Sequence, residues 1–188
     1  MDVDTPAGGN ERLNKMVAIT VVAISVFTAL SNVKDGNIGQ NMALAKSDAV
    51  DTWSEYQSAR LKLHIAENSL ASLALDAAKS GADQTLVAAE KQRLEKAITK
   101  YDAKSKDLMT QARDHEAEYN RLNVHDDQFD MSDAFMSVAL AIAAVTVFVN
   151  FEWMLYVAWG FGAVGFVMGM AGFLGLNLHS DFVANLLG

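Results

Sequence analysis

Between Ala134 and Leu176 the chain carries one charged residue, Glu152, in a run otherwise dominated by Val, Leu, Ile, Phe, Met, Ala and Gly. The hydrocarbon core of a bilayer asks for about 20 such residues per helix, at 1.5 Å of rise each. The pieces on either side of Asn150-Phe151-Glu152 supply roughly 17 and 24, which predicts two membrane-spanning helices, 134–150 and 153–176, joined by a tight turn. A third apolar run, Met16 to Val33, places a first span at 15–33. Arg12 and Lys15 before it, with Ala29-Leu30-Ser31 at its end, also have the outline of a secretory signal.

What lies between the spans is different in kind. Residues 34–133 hold 13 basic and 18 acidic side chains, interleaved, for a balance of −5. A mildly acidic, charge-mixed segment reads as a water-facing helical surface, and its sign excludes phosphate-backbone binding, so no nucleic-acid partner is expected. The chain has no cysteine, which removes disulfides, thiolate-bound metal and thiol nucleophiles. Its one proline is Pro6, so nothing after Arg12 must break a helix. The expected fold class is therefore an all-α membrane protein: three transmembrane helices with an extramembrane antiparallel helical hairpin, a coiled coil.

Residues 1–14, with Pro6 and Gly8-Gly9, read as a flexible tail. Within the first span Ser25, Thr28 and Asn32 form a polar stripe that should face protein. Asp35-Gly36-Asn37-Ile38-Gly39 predicts a hinge at the membrane surface, because each glycine costs about 1 kcal/mol in a helix interior. Beyond it Met42, Ala45, Ala49, Trp53, Tyr56 and Ala59 begin a series, continued by Leu63, Ala66, Leu70, Leu73 and Ala77, that advances by threes and fours. Lys79 to Asp83 interrupts it, Gly81 closing one helix and Asp83 capping the next. Val87, Leu94, Tyr101, Leu108, His115 and Leu122 then lie seven apart, with Ile98, Ser105, Ala112 and Tyr119 in the alternate positions. Two arms of about 37 residues joined by a short loop should fold back on each other and extend roughly 55 Å. Val124 to Asp133 returns the chain to the bilayer, and 177–188 should lie along its surface through Phe182, Val183, Leu186 and Leu187.

The third span carries Ala158, Gly162, Gly165, Gly169 and Gly172 at steps of four, three, four and three. A stripe without side chains lets another helix approach to backbone contact, in the same bundle or in another subunit. Trp153, Tyr156 and Trp159 open that span as interface anchors do. Little else carries chemistry. Gly160-Phe161-Gly162-Ala163-Val164-Gly165 spells a dinucleotide fingerprint, but inside an apolar helix its backbone is already paired. His125 with Asp126, Asp127 and Asp130 offers hard-cation ligands without the glycine turn of a calcium loop, and His64 and His115 sit on separate arms. Glu152 marks the turn at the interface. No catalytic constellation emerges, so neither an enzyme nor a bound cofactor or metal is expected.

Asp51-Thr52-Trp53-Ser54-Glu55-Tyr56-Gln57-Ser58-Ala59-Arg60-Leu61-Lys62 resembles the signature of a bacterial membrane family without an assigned activity, domain-of-unknown-function family 4337. Members read Asp-x-Trp-x-x-Tyr-Gln-x-Lys-x-x-Lys after a first span; here the first basic residue falls at Arg60 in place of the Ala59 position. Leu178-His179-Ser180-Asp181-Phe182 is similar to the family's ending. The resemblance implies the order of one span, a polar helical region and a two-span hairpin, and no activity. Trp53 and Tyr56 read as packing anchors at the hairpin's base, with peptide or lipid-headgroup docking as the alternative, and Trp53, Tyr56, Gln57 and Lys62 are the candidate partner contacts. The family's turn between spans two and three often carries arginines, and this chain has Asn150-Phe151-Glu152 instead. The acidic approach at Asp126 to Asp133 and the ending without Lys or Arg suit translocated segments. The expectation is a bacterial inner-membrane protein, amino terminus cytoplasmic and hairpin periplasmic, acting as a homo-oligomeric scaffold among lipids and open to a protein partner through the hairpin. An oligomeric pore or transport accessory, lined by Ser25, Thr28 and Asn32, is the alternative.

Overall fold

The computed structural model describes residues 11–78 and 83–176. Among these the chain is three α-helices without a strand: α1 (Glu11–Ala77), α2 (Gln84–Val149) and α3 (Glu152–Leu174). Each contains a stretch long and apolar enough to cross a membrane. Two expectations are corrected. The tail ends earlier than 14, since the helix starts at Glu11 and Leu13 is fully buried. The hinge at Gly36 and Gly39 does not form either, and α1 runs straight through both glycines. Two glycine penalties of about 1 kcal/mol are small beside the continuous hydrogen-bond ladder and the burial of Ile38 and Met42 on the same helix. α2 likewise joins the second polar arm to the second apolar run without a break.

The helix ends follow from local chemistry. The Asp83 carboxylate accepts hydrogen bonds from the backbone N–H groups of Thr85 (2.9 Å) and Leu86 (3.3 Å), the N-cap that the sequence predicts. Asn150 takes φ +60°, a left-handed conformation that asparagine tolerates better than most residues, and so reverses the chain within two positions. At the far end Gly175 adopts φ +67°, and the Leu176 N–H bonds to the Ala171 carbonyl at 3.0 Å, which stops α3 two residues before the expected Leu176. Gly81 and the 177–188 segment, for which a helix end and an interfacial tail are expected, lie outside the described residues.

Two compact units share the long helices, one of residues 1–42 and 120–188 and one of residues 43–119. In the first, α1, α2 and α3 form a three-helix bundle. Leu13, Val17, Ala143, Leu155 and Ala158 make one cluster in its core, and Ile24, Met136 and Ala139 another. Outward, α1 presents Ile19, Val22, Val26, Leu30 and Val33 at steps of three and four, all well exposed. Such an apolar outer stripe suits contact with lipid.

In the second unit the two arms pair antiparallel, as shown by Glu55 opposite Lys104 (3.6 Å) and the Lys46 ammonium over the Tyr119 ring (5.5 Å). Ala45, Ala49, Ala59, Leu63 and Ala66 are buried on one arm, and Leu94, Ser105, Leu108 and Ala112 on the other. These are seam positions of the two predicted series, so the threes-and-fours pattern locates the inner face correctly.

Candidate functional site

The glycine stripe of α3 is consumed inside the bundle. Ala158, Gly162, Gly165, Gly169 and Gly172 are all buried against α1 and α2 of the same chain. A methyl group added at Gly165 would stand 3.0 Å from the Ser132 carbonyl oxygen and 3.2 Å from the Met136 nitrogen, so α2 backbone passes directly over it. At Gly169 the neighbours are the Phe27 ring and the Ser132 hydroxyl, and at Gly172 the buried Phe129 ring. Gly162 has more room, its nearest neighbour being the Ile24 Cδ1 at 3.5 Å. The stripe thus acts within the bundle.

Hydrogen bonds between helices reinforce this packing. The Ser132 hydroxyl donates to the Gly165 carbonyl (2.8 Å), the Gln128 amide to the Leu176 carbonyl (2.6 Å), and the Trp159 indole N–H to the Thr20 hydroxyl (2.9 Å). In hydrocarbon such bonds contribute roughly 0.6–2 kcal/mol each. Sequence reading passes over Gln128 and Ser132; their placement four apart, directly before an apolar run, is the signal that marks them. The polar row of α1 is also not where the sequence puts it. Ser25 and Asn32 are exposed, whereas the hydroxyls of Thr28 and Ser31 are buried. Ile24 and Phe27 meet the glycines instead, because larger apolar groups fill the space that α3 leaves.

An apolar cleft of about 420 Å³ runs between α1 and α3 past Ile24, Phe27, Gly162 and Phe166. The hydroxyl of Thr20 and the indole of Trp159, both on its wall, are bonded to each other. It has the make-up of a lipid-facing groove, with no convergent polar set for catalysis.

Just beyond the first apolar run, carboxylates from two helices meet. Asp35 of α1 shares a hydrogen bond with Asp126 of α2, with Asp130 and Asp133 near enough to add their charge. Desolvation first, and then these like charges, push the Asp35 carboxyl up to about 6. Asp126 is raised by desolvation and by Asp130, and Asp130 by desolvation and by Asp127 and Asp133. One Asp35 oxygen is buried with no hydrogen-bond partner. The arrangement lets Asp35 keep its proton to higher pH than an isolated aspartate would. Among the described residues, which include His125, Asp126, Asp127 and Asp130, no three His, Asp or Glu side chains are grouped as metal ligands. His125 sits 3.4 Å from the Gln128 side-chain oxygen. Asp35, 91 positions before Asp126, has no local signal linking it to the acidic stretch.

In the hairpin unit the four candidate contacts divide. Trp53 donates its indole N–H to Glu116 on the opposite arm (2.8 Å) and packs edge-on against Tyr56 (5.3 Å). Lys62 lies 6.0 Å from the Tyr101 ring centroid. Trp53 and Lys62 thus reach across to the other arm, Tyr56 packs against Trp53 on its own arm, and Gln57 is exposed. His64 bonds to Glu67 (3.0 Å) on its own helix, and His115 is half-buried. The fingerprint glycines lie inside α3, and Glu152 is exposed in its first turn, where a negative charge complements the helix dipole.

Residues 13–175 match a family model described as a domain of unknown function, the one whose signature surrounds Trp53. Neither a curated protein nor a solved structure matches the chain.

Proposed function

The chain belongs to domain-of-unknown-function family 4337, and from its architecture we propose a homo-oligomeric scaffold or adaptor, embedded in a bacterial inner membrane, that displays a coiled-coil hairpin in water. The observation that carries this reading is where the polar side chains go. Ser132, Gln128 and Trp53 spend their hydrogen bonds on closing the bundle or locking the arms, and the polar groups of Thr20 and Trp159 on the α1–α3 cleft are bonded to each other. Apolar outer stripes, by contrast, are left for contact with lipid or protein. The third-span glycines, being occupied within one chain, do not supply the subunit interface, and the hairpin becomes its natural place.

We take the amino terminus to be cytoplasmic and the hairpin periplasmic. A reporter inserted at Gly81 should be active only outside the cytoplasm, and activity inside would reverse the orientation. Native mass determination of the full chain in detergent tests the scaffold: a defined oligomer is expected, and a single subunit at all concentrations would reject it.

The exposed Ser25 and Asn32 on the first span support a second reading, an oligomeric pore or transport accessory. Ion flux through liposomes containing the purified protein, abolished by Asn32→Leu, would favour the pore; tight liposomes would favour the scaffold.

A further inference from the structure

Of the six large apolar side chains strongly exposed in the hairpin unit, five are on α1 and only Leu86 is on α2. The five are Leu44, Val50, Leu61, Ile65 and Leu75, between 56% and 73% exposed. Water-facing surfaces of monomers rarely keep such residues along one element. Val50, Leu61 and Leu75 fall in one heptad frame, and Leu44 and Ile65 flank it at the e position. Ser47, Ser54, Leu61, Asn68 and Leu75 lie seven apart, all exposed. Val50, Gln57, His64 and Ala71 follow three residues after the first four of them. From Ser47 to Leu75 these positions contain no Asp, Glu, Lys or Arg, in a segment otherwise crowded with charge. They are distinct from the inner face, whose buried members include Ala59, Leu63 and Ala66. α1 therefore carries two heptad seams, and α2 occupies one.

We propose that the outer seam of α1 pairs with the same seam of a second copy, as a parallel two-stranded coiled coil. This rests on the oligomeric membrane reading and names the surface and partner it requires. Three features choose the occupant. Copies inserted the same way in one membrane present α1 in the same direction, so a parallel pairing is enforced. In the heptad register with Ser47, Leu61 and Asn68 at a, Lys46 falls at g and Asp51 at the next e; in a parallel pair these meet across the interface with opposite charge. Asn68 at a is the residue that fixes register and favours two strands, since its amide finds its copy only in an aligned dimer. Ser47, Ser54 and Gln57 make the seam weak by itself. Confinement to a bilayer raises the effective concentration of copies and compensates for that weakness.

The native chain lacks cysteine, so single cysteines report without background. Gln57→Cys and Leu61→Cys, on the seam, are compared with Ser69→Cys beside it and Gln92→Cys on α2, each in the full-length protein in mild detergent or nanodiscs under gentle oxidation. A parallel dimer brings only the seam positions within disulfide reach, so roughly tenfold more cross-linked dimer is expected at 57 and 61 than at 69 and 92. In parallel, Leu61→Glu with Leu75→Glu should lower the native mass to the monomer with helicity unchanged, because both side chains are exposed within one subunit. Equal cross-linking at all four positions, or an oligomer that survives the double substitution, would overturn the seam and leave the scaffold reading standing. A monomeric parent protein would overturn both.

Discussion

A single methyl group at Gly165 is the sharpest probe of the bundle. Substituting alanine for glycine inside a helix ordinarily gains about 1 kcal/mol from reduced backbone entropy and better propensity. At Gly165 the new Cβ would press against the Ser132 carbonyl oxygen at 3.0 Å, the Met136 Cγ at 3.1 Å and the Met136 nitrogen at 3.2 Å. Two of those atoms are backbone of a packed helix, which cannot step aside as a side chain can. Overpacking of this kind costs about 1–3 kcal/mol, and a widened α2–α3 spacing would also stretch the 2.8 Å bond from Ser132 to the Gly165 carbonyl. The net expectation for Gly165→Ala is a loss of about 1–2 kcal/mol. Gly162→Ala is the matched control, since its nearest neighbour is a flexible Ile24 methyl at an ordinary 3.5 Å. That substitution should be neutral or gain up to about 1 kcal/mol. Both can be measured by equilibrium unfolding in mixed micelles followed by circular dichroism. Gly165→Ala as stable as Gly162→Ala would refute close backbone approach as the purpose of the stripe.

Three further outcomes are expected. Because the folded state raises the Asp35 carboxyl to about 6, above its ordinary value of 3.8, its contribution to stability is complete below about pH 4 and is lost as pH rises through 6. Thermal melts of the parent and Asp35→Asn should coincide near pH 4 and separate by pH 7 with the variant the more stable; a gap that is constant with pH would contradict the upward shift of the Asp35 carboxyl. Leu108→Ala, which empties a buried position of the hairpin, should cost about 2–4 kcal/mol and melt the arms before the bundle in hydrogen exchange, and uniform exchange would argue against that order. Gly36→Ala and Gly39→Ala meet nothing within 4 Å and should each stabilise by up to about 1 kcal/mol, whereas destabilisation would restore a functional hinge there.

Along single helices the sequence was sufficient. The absence of proline after Pro6, the three apolar runs and the threes-and-fours series from Met42 and Val87 determine three helices each long and apolar enough to cross a membrane, a polar pair of arms and the inner face of each arm, because length, hydropathy and helix periodicity are properties of local sequence. The Asp83 cap and the turn near Asn150 are equally local. Tertiary structure decided what meets what. It placed Ser31 rather than Ser25 or Asn32 inside the bundle, gave the glycines to Phe27, Phe129 and Ser132 of the same chain, and kept α1 intact through Gly36 and Gly39. It also joined Asp35 to Asp126 across 91 positions and showed that the inner series of α1 leaves a second face uncovered. The physical reason is common to all of these. Rotation of one helix about its axis, by as little as one residue's 100°, changes every neighbour without altering any spacing in the sequence, and only packing against the other two helices fixes that angle.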